Sequence, residues 1–196
     1  MGKNNLIFGI HPLIEALEAG REIDKILLKR GLRSSEVSHI MDVAKERTIP
    51  VQIVPEERLT RLTRKQHQGV IAFISEIEYT QLDQLIPMLY EEGRSPFVVL
   101  LDGLTDVRNF GAIARTAECA GVDAIIIPER GSVSVTADAV KTSAGALHRI
   151  PVCRVSSIQA AVTLLQENGI QIVAASEKAA DIYTESELSL PLGLVL

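Results

Sequence analysis

Five short runs in the second half of the chain, "FVVLLDG", "DAIIIP", "PVCRV", "IQIVAAS" and "LGLVL", are apolar at almost every position and are separated by stretches of helical period. A strand that shows no alternation is buried on both faces. Helices that alternate with such strands supply the two covering layers, so a parallel doubly wound sheet is predicted from Phe97 onward. The composition agrees. Of the 196 residues 46% are hydrophobic but only 4% are aromatic and none is Trp, so the core must be built from Val, Ile, Leu and Ala.

The first 76 residues alternate in a different way. Strand "NNLIFGI", helix "HPLIEALEAG", strand "DKILLKR", helix "SSEVSHIMDVAKERT", strand "VQIVP", helix "EERLTRL" and strand "GVIAFISE" switch between periods of 2 and 3.6. This predicts a separate small α/β domain over 1–76. Ser34 or Ser35 is placed to cap the second helix, and Val37, Ile40, Met41 and Ala44 form its apolar stripe. The acidic segment 77–95, with Leu82, Leu85, Ile86 and Leu89 at helical spacing and Gly93 and Pro96 closing it, reads as a linker or connecting helix. Residues 96–196 form the second domain. The chain stops at Leu196 within an apolar run, and because free ends usually lie at exposed sites, further protein is expected beyond it.

The net charge of −5 hides an asymmetry. Residues 1–75 hold twelve Lys and Arg against nine Asp and Glu, and residues 76–196 hold eight against sixteen. In the basic half, "RLTRLTRKQH" sets Arg58, Arg61 and Arg64 or Lys65 at intervals of three to four, one exposed row if the segment is helical. The row reads either as a solvated face or as a phosphate-binding surface. No run approaches a membrane span and no signal peptide is recognisable, which predicts a cytoplasmic protein without a membrane partner. Cys119 and Cys153 with four scattered histidines show no zinc spacing, so no metal is expected.

Open α/β sheets bind ligands beyond the carboxyl ends of their strands. "LDGLTDVRNFG" lacks a dinucleotide-binding glycine pattern, and "VKTSAG" has Val140 where a P-loop needs glycine. The first loop does gather Asp102, Thr105, Asp106, Arg108 and Asn109. Asn109 is placed to cap a helix running to Ala120, and Gly111 would admit another backbone. Ala112, Ile113, Thr116 and Ala120 would pack on the sheet, with Arg115 about 120° from the centre of that stripe. An ordinary cap and a boundary arginine would look the same. "KTSAGALHR", at the end of the expected helix "TADAVKTSAGALHR", offers Thr142, Ser143 and Gly145 as site residues or as small packing residues. Ser176 and Glu177 after Ala175 follow a strand, where a ligand hydroxyl or a bare cap would fit equally.

"IFGIHPLIEAL", "HQGVIAF", "LDGLTDVRNFGAIARTAECAGVDAIII" and "KTSAGALHRIPV", in this order, resemble the SpoU-type, or TrmH-type, RNA ribose 2'-O-methyltransferases, in particular the two-domain rRNA methyltransferases. The resemblance covers nearly the whole chain. It implies a ribosomal-protein-like RNA-binding domain over 1–76 and a methyltransferase domain of the α/β-knot (SPOUT) type. S-adenosylmethionine would be the methyl donor, RNA, most of all rRNA, the partner, and the assembly a homodimer. The family's Asn-x-Gly-x-x-x-Arg motif falls on Asn109, Gly111 and Arg115, which implies catalytic roles for Asn109 and Arg115, the arginine as base or as a positioning group. Cofactor contacts are expected at Ala175, Ser176, Glu177, Leu194 and Leu196. RNA contacts are expected at Arg58, Arg61, Arg64, Lys65 and Arg108. The family's Gly-x-Glu-x-Gly segment and its "SLNVS"-like segment are absent, so the knot is expected to be unfinished in this chain and the chain inactive by itself. A non-catalytic RNA-binding adaptor that kept the fold is the alternative, and a flavodoxin-like domain for another nucleotide is a further one.

Overall fold

The computed structural model describes residues 6–196, and it separates into two compact units, residues 1–76 and 77–196. Asn4 and Asn5, expected in the first strand, lie outside the described residues.

The first unit runs β1 (Leu6–Phe8), α1 (Ile10–Glu18), β2 (Ile23–Lys29), α2 (Ser35–Glu46), β3 (Val51–Val54), α3 (Glu56–Leu62) and β4 (Val70–Ile74). Its sheet has the order β1-β4-β2-β3, with β4 antiparallel to both neighbours and β2 parallel to β3. One face is closed by α1 and α2 through Leu13, Leu17, Val37, Ile40 and Ala44 against Ile26, Leu28 and Val70. Ser34 caps α2 by accepting from the Val37 amide at 3.2 Å. Met41, expected in the α2 stripe, is exposed instead, because Val37, Ile40 and Ala44 suffice to fill the contact. Among the described residues the opposite face carries only α3, whose Leu59 rests on Leu27, Val54 and Ile71. That helix ends at Leu62, with Thr63 in extended conformation. Arg58 and Arg61 therefore sit on a helix, while Arg64 and Lys65 follow in the loop, and the expected four-residue helical row does not form.

The second unit has six parallel strands in the order β5-β8-β7-β6-β10-β9. They are β5 (Tyr79–Thr80), β6 (Phe97–Leu100), β7 (Ala124–Pro128), β8 (Val152–Val155), β9 (Gln171–Ala174) and β10 (Leu192–Val195). α5 (Val107–Cys119) and α6 (Ala137–Thr142) cover Val99, Ile125 and Ile127 on one face. α4 (Leu82–Glu91) and α7 (Ile158–Glu167) cover Val98, Leu100, Ala124 and Ile126 on the other. The uniform apolarity of the central strands is thus the mark of two buried faces. β9 departs from it as an edge strand whose partner is β10, with Gln171 and Ala174 exposed.

The segment 77–95 is not a linker. β5 pairs with β8, Tyr79 opposite Val152, and Leu82, Leu85, Ile86 and Leu89 of α4 are all buried in this unit's core. The acidic residues that suggested a connector lie on the solvent side of an amphipathic helix.

Asp123 joins the first turns of β6 and β7. Its carboxylate is buried, accepts from the Phe97 amide at 2.7 Å and is paired with the Arg94 guanidinium, while its own amide donates to the Phe97 carbonyl. Asp123→Ala would strand a part-buried N–H and a cation. A loss of about 1–3 kcal/mol is expected, read as a lower midpoint in urea unfolding at an unchanged slope.

Candidate active site

The polar loop after β6 ends in α5. Its cap is Asp106, whose Oδ1 accepts from the Asn109 amide at 2.8 Å. Asn109, expected as the cap, is instead the third residue of the first turn, and its side chain is exposed. The observed cap lies three residues before the expected one, and the packed face is rotated from the expected stripe. Phe110, Gly111, Ala114 and Ala117 are buried; of the expected stripe Ile113 packs against the core, Ala112 is half-buried, and Thr116 and Ala120 are exposed. The aromatic ring of Phe110, fully enclosed by the core, fixes that rotation.

Arg108 and Arg115 are seven residues apart, or 700° of helix, so they lie within about 20° of one line and about 10 Å apart along the axis. Both are exposed. Gly111 stands between them. A Cβ there would be 2.7 Å from Thr142 Cβ, 2.8 Å from the Ala139 carbonyl oxygen and 3.0 Å from the Ser143 nitrogen. The "NFGAIAR" and "KTSAGA" segments are therefore one construction, two helices whose backbones touch at a glycine.

The helix expected over "TADAVKTSAGALHR" is broken to make this contact. α6 stops at Thr142, Ala144 and Gly145 take positive φ of 51° and 84°, and a single 3-10 turn follows over Ala146–His148. Ser143 is wholly buried. Its hydroxyl donates to the Val140 carbonyl at 2.8 Å and accepts from the Leu147 amide at 3.3 Å, so it closes one helix and opens the next turn. Thr142 likewise donates its hydroxyl to the Asp138 carbonyl at 2.8 Å.

Beside the crossing is a cavity of about 660 Å³ lined by Thr105, Asp106, Val107, Arg108, Asp138, Lys141 and Thr142. It brings the predicted Arg108 together with Lys141, which sequence reasoning did not single out. The signal was available in its place directly before the "TSAG" turn. Asn109 and Arg115 do not line this cavity; Arg115 stands two turns further along the same side of α5. Arg108, Arg115 and Lys141 make no ion pair among the described residues, whereas nearby Arg149 is held by Glu118 at 3.3 Å. Two uncommitted cations, Arg108 and Lys141, line this cleft beside the carboxylates of Asp106 and Asp138, a mixed setting that suits a ligand with both anionic and hydroxyl groups.

The other expected positions lie at the neighbouring strand ends. Val195 pairs with Ala174, which sets Leu196 beside Ala175. The Ala175 amide donates to the Val195 carbonyl, the Leu196 amide to the Leu100 carbonyl, and the Asp102 amide to the Leu196 carbonyl. Ser176 Oγ accepts from the Lys178 amide at 3.2 Å, while Glu177 is exposed and free to face a ligand hydroxyl. Leu194 packs against the core beneath α5. Arg58, Arg61 and Arg64 are exposed on the first unit, and Lys65 lies over the Phe8 ring. Burial, with Asp83 adding to it, pushes the Cys153 thiol up to about 12, so it is no nucleophile at neutral pH. Among the described residues no group of His, Cys, Asp and Glu is arranged to hold a metal, and no helix is long and apolar enough to cross a membrane.

Residues 6–80 match the family model described as RNA 2'-O ribose methyltransferase substrate binding, and residues 96–196 match that of the SpoU rRNA methylase family. A protein of Staphylococcus haemolyticus assigned to the TrmH family of tRNA/rRNA methyltransferases is 38% identical over 191 residues, spanning 97% of this chain and 77% of the relative. Its counterpart in Staphylococcus aureus is 36% identical over 194 residues, 99% of this chain and 78% of the relative. Among solved structures, an AdoMet-bound rRNA methyltransferase of Sinorhizobium meliloti superposes with a TM-score of 0.53 at 23% identity, over 97% of this chain and 69% of that one. The SpoU methyltransferase AviRb of Streptomyces viridochromogenes, in complex with AdoMet, gives 0.53 at 21% identity over 97% and 71%. These two likenesses speak for the fold.

The buried hydroxyl of Ser143 yields a test that separates structure from chemistry. Ser143→Ala leaves the enclosed Leu147 amide without that acceptor, and a destabilisation of about 1–3 kcal/mol is expected in denaturant unfolding. Substrate turnover measured well below the unfolding midpoint should stay close to wild type.

Proposed function

Because the chain belongs to the SpoU family of RNA methyltransferases, we propose that it methylates a ribose 2'-hydroxyl of RNA, with ribosomal RNA as the target and S-adenosylmethionine as the methyl donor. The observation that carries this reading is the line of uncommitted cations, Arg108 and Arg115, on either side of the Gly111 crossing, with Lys141 across the cleft. A knot of the α/β-knot type, left unfinished in this chain, and the pairing of two copies belong to the same proposal, which the family match over 96–196 supports.

The strand ends fit the adenosyl part of the donor. Ala175 and Leu196 are side by side and exposed, apolar enough to lie against a purine, and the Glu177 carboxylate beyond them can accept from ribose hydroxyls. S-adenosylmethionine bound there would supply an electrophilic methyl group. The rest falls to the chain. Arg108 and Lys141 hold the phosphates flanking the target nucleotide, which fixes its register without reading its base. Arg115 presents its planar fork to the reacting ribose and stabilises negative charge growing on the 2'-oxygen. A guanidinium fork that donates hydrogen bonds and accepts none suits positioning rather than proton removal. Asn109, the residue after Arg108 and about 100° round the helix from it, contacts the loop or the RNA from the solvent face.

Arg115→Lys keeps the charge and most of the stem but loses the bidentate geometry. In a chain extended through the family's Gly-x-Glu-x-Gly and "SLNVS"-like segments, single-turnover methyl transfer to RNA should fall about 100-fold or more, with thermal unfolding and donor affinity unchanged. Transfer at the wild-type rate would remove Arg115 from the chemistry. An RNA carrying one 2'-deoxynucleotide at the methylated position should accept no methyl group at all; methylation of that RNA would point to a base as the acceptor.

A further inference from the structure

The sheet of the first unit is covered unequally. Two helices close one face, but among the described residues the other has only the seven-residue α3 at one end, over Leu27, Val54 and Ile71. On the rest of that face stand Leu6 and Phe8 of β1 and Phe73 of β4, all half-buried. The antiparallel register pairs Leu6 with Phe73 and Phe8 with Ile71, so Phe8 and Phe73 are diagonal neighbours on adjacent strands, within reach of one another. A lysine lies over each ring. Lys65 Nζ is 5.3 Å from the Phe8 centroid and Lys25 Nζ is 4.7 Å from that of Phe73. Further cations border the face: Arg58 and Arg61 on α3 and Arg64 in the loop after it, all exposed. The acids of α3 offset little of this. Glu56 is already engaged by Lys29 at 2.5 Å, which holds its carboxyl below the usual range, and Glu57 is exposed.

We propose that this face is a stacking platform for unpaired bases of an RNA strand, Phe8 and Phe73 each taking one base and Lys65 moving aside to meet the phosphates. The inference rests on the RNA reading given above and adds to it a surface, a mode of contact and a preference for single strands. An aromatic ring with a cation over it in water is weakly held. A nucleobase on the same ring covers more apolar area and gains more, so it displaces the ammonium group, whose reach along its four-carbon stem then brings it to the backbone between two bases. Two rings on neighbouring strands with cations around them are the elements by which a sheet binds single-stranded RNA, whereas a duplex hides its base faces and offers a sheet nothing to stack on. Lys65 is well placed for this exchange. It sits in the 63–69 loop, which is anchored at its far end by the Gln68 side chain accepting from the Ile10 amide at 3.2 Å.

The test uses the full chain with two probes, a fluorescein-labelled 12-nucleotide oligouridylate and an RNA duplex of 12 base pairs, titrated by anisotropy at several salt concentrations. Phe8→Leu with Phe73→Leu keeps apolar volume but removes both aromatic faces. Its affinity for the oligouridylate should fall roughly tenfold, with the salt slope and the weaker duplex affinity unchanged. Lys65→Ala should lower the salt slope by about one. Should the leucine pair fail to fold, an oligouridylate carrying a single 2-aminopurine gives a readout on the unaltered protein: its fluorescence must be quenched by stacking on binding. A folded leucine pair that binds the oligouridylate like wild type, or 2-aminopurine that stays bright in the complex, overturns the platform. Tight binding of the duplex alone overturns the platform and leaves the methyltransferase reading standing. Binding of neither RNA sinks both.

Discussion

The contact between the backbones of α5 and α6 at Gly111 is the constraint from which the second unit's site follows. With no side chain at 111, the Ala139 carbonyl and the Ser143 amide come up against α5 itself. That approach requires α6 to end at Thr142, and the left-handed Ala144 and Gly145 then turn the chain away. It leaves the flanking arginines, one turn before and one turn after the glycine, with open space on their side of the helix. A bulkier residue at 111 would separate the helices and carry Lys141 away from Arg108. The glycine and the arginine of one short motif thus have different duties: the first makes the crossing and the second uses the position it creates.

Much of this architecture is legible in the chain because its causes are local. Apolar strands with two covered faces show no alternation, and the order of strands and helices follows from that and from the helical periods between them, apart from β5 and the break after α6. Ser34 was readable as a cap because a serine three residues before a buried valine has one evident use. Other features depend on distant partners. Asp106 and Asn109 are both good caps, and the choice between them was made by how Phe110 enters the core. The break in "KTSAGA" reflects a neighbour 30 residues away in sequence, and propensity alone favours a longer helix there. Segment 77–95 looked like a connector because its acids stood out and its four buried leucine and isoleucine side chains had no visible partner until the sheet was assembled.

Electrostatics explain how an acidic chain can serve a polyanion. The surplus of carboxylates in residues 76–196 is spent in part on internal ties, Asp123 with Arg94 and Glu118 with Arg149. Cations beside the crossing are left uncommitted, and those of the first unit gather around one sheet face. Local arrangement, more than the net charge of −5, decides what such a surface attracts.

The account stands or falls on whether Gly111 is a place of backbone contact, and paired glycine substitutions measure that directly. At Gly193 in β10 an added Cβ would meet chiefly the Ile172 Cδ1 atom at 2.6 Å, the end of a side chain that can swing away, whereas at Gly111 the obstacles include backbone. Urea unfolding of Gly111→Ala should show a loss of about 1–3 kcal/mol, despite alanine being the better helix former by about 1 kcal/mol. Gly193→Ala should cost distinctly less. A Gly111→Ala protein as stable as wild type, or more stable, would contradict the claim that the crossing shapes the site.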